Sequence, residues 1–240
     1  MTSQTIPVQQ DLRAQRRKDA DEFRQKMGRA GTLVVRLLSS PGSGKTLLLE
    51  KTAQRLVERY RVGILVGDVE TERDAERLAP FAPSVQITTG GACHLELPLV
   101  QRALPKLGEG PFDFLFVEDV GNLICPASHD LGEHLRVIVL STTEGDDKPG
   151  KYPKAFRTSD VVVISKTDLL PYVPFSVERA QADASAVRGD LTFFCISALR
   201  DEGIAEWCAF LEGMRSAVAT QQPGCSEAAG LLSGASAADC

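Results

Sequence analysis

A doubly wound α/β fold, with a mostly parallel sheet of about seven strands flanked by helices on both faces, is predicted by three observations. Short, nearly continuous apolar runs recur along the chain, as strands covered on both faces require. Helix-forming stretches separate most of these runs, which is what parallel neighbours need. The first run, 32–38, passes through Ser39-Ser40-Pro41-Gly42-Ser43-Gly44-Lys45-Thr46 into the helical pattern Leu47-Leu48-Leu49-Glu50. A strand, a glycine-bearing turn and a helix in that order surround a phosphate with backbone N–H groups at the positive end of a helix dipole. This reads as a P-loop, favoured over a helix-capping Ser-Gly turn that happens to precede Lys, and the expected fold is that of a P-loop NTPase.

The elements follow in order. Residues 7–28 are dense in good helix formers, with Leu12, Phe23 and Met27 as the few apolar anchors; they read as a surface helix in an N-terminal extension over 1–28. Its basic cluster Arg16-Arg17-Lys18 is surrounded by Asp and Glu and reads as a solvated face. The P-loop domain is expected over 29–215. Its first helix should run to about Tyr60, followed by a strand at 62–66 and a loop opening with Asp68. A short helix is expected from Thr71 to Leu78, then strands at 84–88 and 112–117, the second ending at Glu118-Asp119. Strands at 136–140, 160–164 and 191–196 complete the set. From Ser216 the chain turns rich in Ala, Ser and Gly, with only Glu227 and Asp239 charged, so 216–240 is expected to be a disordered tail.

At 240 residues the chain suits one sizeable domain, and 43% hydrophobic against 25% charged residues supports a packed core. With 27 Lys and Arg against 32 Asp and Glu, the net charge of −5 argues against nucleic-acid or anionic-membrane partners. Proteins and small molecules are the expected partners. No apolar run approaches the ~18 residues of a membrane span, and the polar N-terminus lacks the pattern of a signal peptide, which points to the cytoplasm. Six cysteines show no close C-x-x-C pairing, so in a reducing compartment they are expected to be free thiols or metal ligands. Cys195 and Cys208 sit in apolar contexts that packing explains.

Within Ser40–Leu47, Gly42 and Gly44 let the backbone close on the anion together with Ser40 and Ser43. Lys45 reaches the β/γ-phosphates, and the Thr46 hydroxyl sits on Mg²⁺. Ser39 stands where the pattern has its first glycine. Acidic residues after strands, Glu118 first and Asp68 second, are candidates to hold the cation and position the attacking water; Lys45, Thr46, Glu118 and Asp68 form the candidate catalytic set. Ser165-Lys166-Thr167-Asp168 follows another strand and looks like the guanine motif N-K-x-D. A carboxylate at Asp168 accepts from both N1–H and the exocyclic amine of guanine, a pair of donors that adenine lacks. Ser165 replaces the usual Asn, whose amide ties the motif to the P-loop, a change that bears on nucleotide affinity more than on base choice. Ser197-Ala198 resembles the supporting guanine loop. Cys93-His94 and the distant Cys125 are donors suited to Zn²⁺ or Ni²⁺, although a buried Cys93 and a capping His94 would read the same way. Adjacent side chains diverge, so two chains across a symmetry axis are expected to close such a site better than one.

These segments together resemble the HypB family, the nickel-incorporation GTPases of nickel–iron hydrogenase maturation, over residues 7–214. The likeness rests on the P-loop, Gly67-Asp68 with Thr71 and Asp74-Ala75-Glu76-Arg77, and Cys93-His94-Leu95. It also rests on Glu118 with Gly121-Asn122-Leu123-Ile124-Cys125-Pro126, on Thr143–Pro149 with Lys151-Tyr152-Pro153, and on Asp168-Leu169-Leu170-Pro171-Tyr172. The resemblance implies a GTPase that binds GTP/GDP, dimerises with nucleotide bound, and delivers Ni²⁺ to the hydrogenase large subunit through a partner metallochaperone. It implies too that Cys93, His94 and Cys125 form a metal site near the dimer interface. With His94, His129 and His134 as the only histidines and no N-terminal cysteine motif, N-terminal nickel storage is not expected. His129 stands where an aromatic residue belongs and is either a fourth ligand or, the simpler reading, a polar substitute. No arginine finger or water-activating glutamine is evident; such a finger contributes ~10³–10⁵ in rate, so slow intrinsic hydrolysis is expected. Three alternatives stand beside this one: a urease-type nickel-maturation GTPase, a P-loop small-molecule kinase, and a non-enzymatic metal carrier.

Overall fold

Alternation along β1 (Leu33–Ser39) sets the layers of the molecule. Every residue of the strand is buried: Leu33, Val35 and Leu37 face one helical layer while Val34 faces the other. In the computed structural model, which describes residues 8–68 and 73–220, β1 lies between β4 (Phe114–Glu118) and β5 (Leu135–Ser141). Outside β4 come β2 (Val62–Asp68) and the edge strand β3 (Ser84–Thr88); outside β5 come β6 (Val161–Ser165) and the edge strand β7 (Thr192–Ile196). All six pairings are parallel, in the order β3-β2-β4-β1-β5-β6-β7, so the fold has the expected seven strands.

On one face α2 (Lys45–Leu56), α3 (Arg73–Leu78) and α8 (Ile204–Thr220) bury Leu48, Leu49, Leu78, Trp207 and Leu211 against the sheet. The other face carries α1 (Val8–Arg29) and α4 (Leu97–Ala103) over β1, β2 and β4. Beside them α5 (Lys148–Lys151), α6 (Pro153–Arg157) and α7 (Val177–Val187) cluster near β5 and β6, with Phe156 and Ala180 in the core.

Several expectations are corrected. Ala20, Phe23 and Met27 share the inward stripe of α1, whereas Leu12, two turns before Ala20, is exposed and anchors nothing. The helix after the P-loop stops at Leu56. At the far end α8 runs to Thr220, because the alanine-rich start of the supposed tail still propagates helix; residues 216–220 therefore belong to the domain. The remainder of that tail, with Cys225 and Cys240, lies outside the described residues, as do Thr71 and residues 1–7. Cys195 packs half-buried against the core from the edge strand β7, as expected, but it is disulfide-bonded and so not a free thiol.

Candidate functional site

The carboxyl ends of β1, β4 and β6 meet at the P-loop, the edge at which open α/β sheets bind ligands. Gly42 and Gly44 take φ of +75° and +92°, values that a β-carbon disfavours, and Gly44 leads into α2. Lys45 is buried and its ammonium donates to Ser39 Oγ at 2.6 Å. Ser43 Oγ donates to the same oxygen at 2.6 Å, and Ser39 donates in turn to the Ser40 carbonyl at 2.7 Å. The serine in the place of the first glycine thus gives Lys45 a hydrogen-bond partner within the loop.

The Ser165–Asp168 segment is tied to this loop after all. Ser165 Oγ donates to the Ser43 carbonyl at 2.7 Å and Lys166 Nζ donates to the Gly42 carbonyl at 2.6 Å, so a shorter side chain makes the link expected of Asn. Ser197 Oγ donates to Asp168 Oδ1 at 2.6 Å and fixes the carboxylate; Ala198 follows it at the end of β7. Thr142, which sequence reasoning passed over, donates its hydroxyl to the Lys166 carbonyl at 2.9 Å and supports the motif from β5.

Thr46 Oγ1 donates to Glu118 Oε1 at 3.0 Å. Glu118 is only 4% exposed, and its Oε2 is buried without a hydrogen-bond partner among the described residues. Burial, opposed by the Lys45 ammonium, pushes the Glu118 carboxyl from 4.5 up to about 7. A buried carboxylate oxygen left unsatisfied beside a threonine hydroxyl fits a divalent cation. Thr46 and Glu118 would hold Mg²⁺, with Asp68 at the end of the neighbouring β2, two residues past the Val66 that pairs with Glu118. When bound, the cation neutralises phosphate charge.

A pH dependence follows. A carboxyl raised above its unfolded value binds more protons folded than unfolded, so the magnesium-free chain loses stability as the pH rises from about 4.5 past 7. The rise to about 7 corresponds to about 3 kcal/mol. Glu118→Gln is expected to remove this loss, as urea unfolding of both proteins between pH 5 and 8 will read out. Parallel pH profiles would contradict it. A carboxylate that orders the cation and the attacking water would act chiefly in the transition state, so in turnover the same variant should lower kcat with little change in KM.

The soft donors converge nearby. Cys93 and His94 lie in the loop after β3 and Cys125 in the loop after β4, and one ligand atom of each lies within 4.8 Å of the others. Adjacent side chains therefore do not diverge too far here, and a single chain gathers all three donors. Cys93 Sγ is 3.8 Å from His94 Nδ1. Hydrogen bonding to Cys125 raises the Cys93 thiol above its ordinary value, while burial and then the neighbouring His129 lower that of His94, which favours the neutral, ligating imidazole. Two sulfurs and one nitrogen suit Ni²⁺ or Zn²⁺.

The nucleotide-binding domain model of the CobW/HypB/UreG family matches residues 33–195. The hydrogenase maturation factor HypB of Azotobacter vinelandii is 42% identical over 214 residues, 89% of this chain and 71% of that protein. The chain belongs to the HypB family. The crystal structure of HypB from Archaeoglobus fulgidus superposes with a TM-score of 0.78 at 37% identity, covering 84% of this chain and 99% of that one. HypB from Helicobacter pylori in complex with nickel superposes with a TM-score of 0.78 at 34% identity, covering 85% and 96%. Membership of the HypB family displaces the small-molecule kinase alternative.

Two links that hold the metal-bearing loops of this HypB family member are not visible in residue spacing. Arg36, in the middle of β1, is fully buried and donates from Nε to Asp119 Oδ2 at 2.9 Å, with Nη1 on the His129 carbonyl and Nη2 3.3 Å from that of Pro126. Asp119 Oδ1 accepts from Leu95 N at 3.0 Å, so one ion pair clamps both metal-bearing loops. Asn122 makes the second link: it forms an isolated antiparallel bridge with Ser39 and donates its amide to the Cys93 carbonyl at 3.3 Å. The signal for the clamp was present, since an arginine inside an apolar strand requires a buried carboxylate.

Proposed function

We propose that this chain is a GTP-hydrolysing nickel carrier that assists insertion of Ni²⁺ into the large subunit of a nickel–iron hydrogenase, with Zn²⁺ as a second ion able to occupy its thiolate site. GTP lies in the P-loop with Lys45 on its β/γ-phosphates, Asp168 selects guanine, and Glu118 orders the attacking water. The observation that carries the reading is that a P-loop and a Cys93–His94–Cys125 donor set share one edge of the sheet and are joined through Asn122. The nickel complex of the Helicobacter pylori relative supports nickel as cargo. Nucleotide-dependent homodimerisation belongs to the proposal: Ile124, immediately before Cys125, is 66% exposed and offers apolar surface for a second copy to cover. Transfer passes through a partner metallochaperone. No described helix is long and apolar enough to cross a membrane, and the proposed location is the cytoplasm.

Competition between GTP and ATP tests the nucleotide half. GTP is expected to bind with a marked preference, and Asp168→Asn is expected to move that preference toward xanthosine triphosphate, whose base carries an acceptor where guanine has a donor. Equal binding of ATP and GTP by the unaltered chain would remove the guanine assignment. Phosphate release from GTP separates the enzyme from a non-enzymatic carrier.

A further inference from the structure

The loop that carries Cys125 also carries His129, which the proposed function leaves unused. Its ring stacks on that of His94, with centroids 3.8 Å apart and planes 19° from parallel. His129 Nδ1 faces the Cys125 carbonyl at 2.9 Å; a carbonyl only accepts, so Nδ1 carries the proton and Nε2 keeps its lone pair. Metal-binding imidazoles are typically held in this way by their second nitrogen. His94 is flanked on both sides: Nδ1 lies 3.8 Å from Cys93 Sγ, and Nε2 lies 3.7 Å from a carboxylate oxygen of Glu96. That Nε2 is buried and has no hydrogen-bond partner among the described residues. One ligand atom each from His94, Glu96 and His129 lie within 4.8 Å of one another.

We propose that His94, Glu96 and His129 form a second seat for a divalent transition-metal ion, adjoining the Cys93–His94–Cys125 seat and sharing His94 with it; only the identity of the cargo as nickel rests on the function proposed above. The seats differ in chemistry. Two thiolates and an imidazole make a soft set, while two imidazoles and a carboxylate make a harder set that accepts the same ions. A neutral imidazole has one lone pair for one ion, so the seats are used alternately. With the ion on Nδ1 the Nε2 proton points to Glu96; when the ion moves to Nε2 that proton leaves to solvent, Nδ1 takes one up and points it to Cys93, and the vacated thiolates are protonated by the buffered solvent. Near-parallel rings do not aim their lone pairs at one point, so a ring must turn to close the second seat. The Glu96 side chain is 45% exposed, which makes this seat the one open to solvent and the place where the ion enters and leaves. Arg16 approaches the same Glu96 oxygen at 3.6 Å in a surface pair weak enough for a divalent ion to replace.

Calorimetric Ni²⁺ titration of a full-length Cys93→Ser/Cys125→Ser chain tests the second seat. It is expected to bind one Ni²⁺ without sulfur-to-nickel charge-transfer absorption, and adding His129→Phe or Glu96→Gln should weaken that binding by at least about tenfold. Glu96→Gln is an exposed exchange that leaves packing intact, so it serves if His129→Phe fails to fold. With both cysteines present, His129→Phe should keep the charge-transfer band and slow Ni²⁺ release to excess chelator. No Ni²⁺ binding by the double-serine chain, or binding indifferent to both Glu96 and His129, overturns the proposal. The unaltered chain reports separately on the thiolate seat: a missing charge-transfer band there would overturn that reading, while Ni²⁺ held through Glu96 and His129 would still uphold the second seat.

Discussion

Lys45→Ala is expected to lower phosphate release from GTP by at least about a hundredfold in a protein that remains folded. The Lys45 ammonium touches the Ser39 hydroxyl, and that hydroxyl keeps Ser43 as a second donor when the lysine is removed. The core loses nothing comparable, since the apolar cluster beneath the loop is built from Leu37, Leu48, Leu49 and their neighbours. On the proposed function, what is lost is a buried positive charge at the point where negative charge would develop on the transferred phosphoryl group. Circular dichroism and phosphate release on the same sample test both halves. Unchanged release would remove the P-loop from the mechanism, and an unfolded variant would contradict the separation of loop from core.

Asp119→Ala is expected to destabilise the chain by roughly 3–5 kcal/mol and to weaken metal binding at the same time. Removing the carboxylate leaves the fully buried Arg36 guanidinium facing only Glu133 and two carbonyls, and deprives Leu95 N of its acceptor. Burial alone would lower the Arg36 pKa, but Asp119 and then Glu133 outweigh it and hold the charge in place. Asp119→Asn keeps an acceptor for Leu95 N while losing the charge, so it should retain more metal affinity than the alanine. An Arg36→Met/Asp119→Leu pair should recover part of the stability without recovering metal affinity, because apolar replacements refill the space but not the clamp. Urea unfolding and Ni²⁺ titration of the same variants check this; stability and affinity recovering together would contradict the clamp. Glu133 adds an acid limb. Burial raises its carboxyl, but Arg36 and Arg136 prevail and hold it at about 2, so its contribution is present above about 4.5 and is lost as the pH falls toward 2.

The parts that were legible in the sequence depend on local spacing. An apolar run before Gly42-Ser43-Gly44-Lys45 specifies strand, turn and helix at once, and runs of strand length between helical stretches specify a parallel sheet. The parts that were not legible depend on side chains meeting across the fold. Nothing in a lone Ser165 says that its hydroxyl reaches the Ser43 carbonyl, or that Asn122 lies beside Ser39. Cys93, His94 and Cys125 could be named as donors, but their convergence within one chain required the loops after β3 and β4 to fold against Asp119. From the sequence His129 reads most simply as a polar substitute, because its stacking partner, His94, is 35 residues away in sequence and adjacent only in space.

Nucleotide and metal are expected to be coupled through the few residues between the two sites. Gly121 passes so close to Pro41 that a β-carbon there would lie 3.1 Å from its backbone, and Asn122 bridges Ser39 and Cys93, so the P-loop and the metal-bearing loop are joined over one short segment. Coupling free energies of this kind are about 1–3 kcal/mol, a factor of roughly 5–150, and are reciprocal. The direct test is titration of Ni²⁺ and Zn²⁺ into the GDP-bound and GTP-analogue-bound chain, with sedimentation in parallel and the reverse titration of nucleotide with and without metal. A shift in metal affinity by the same factor in both directions, accompanied by dimerisation in the GTP-analogue state, is the predicted result; equal metal affinity in the two nucleotide states would contradict it.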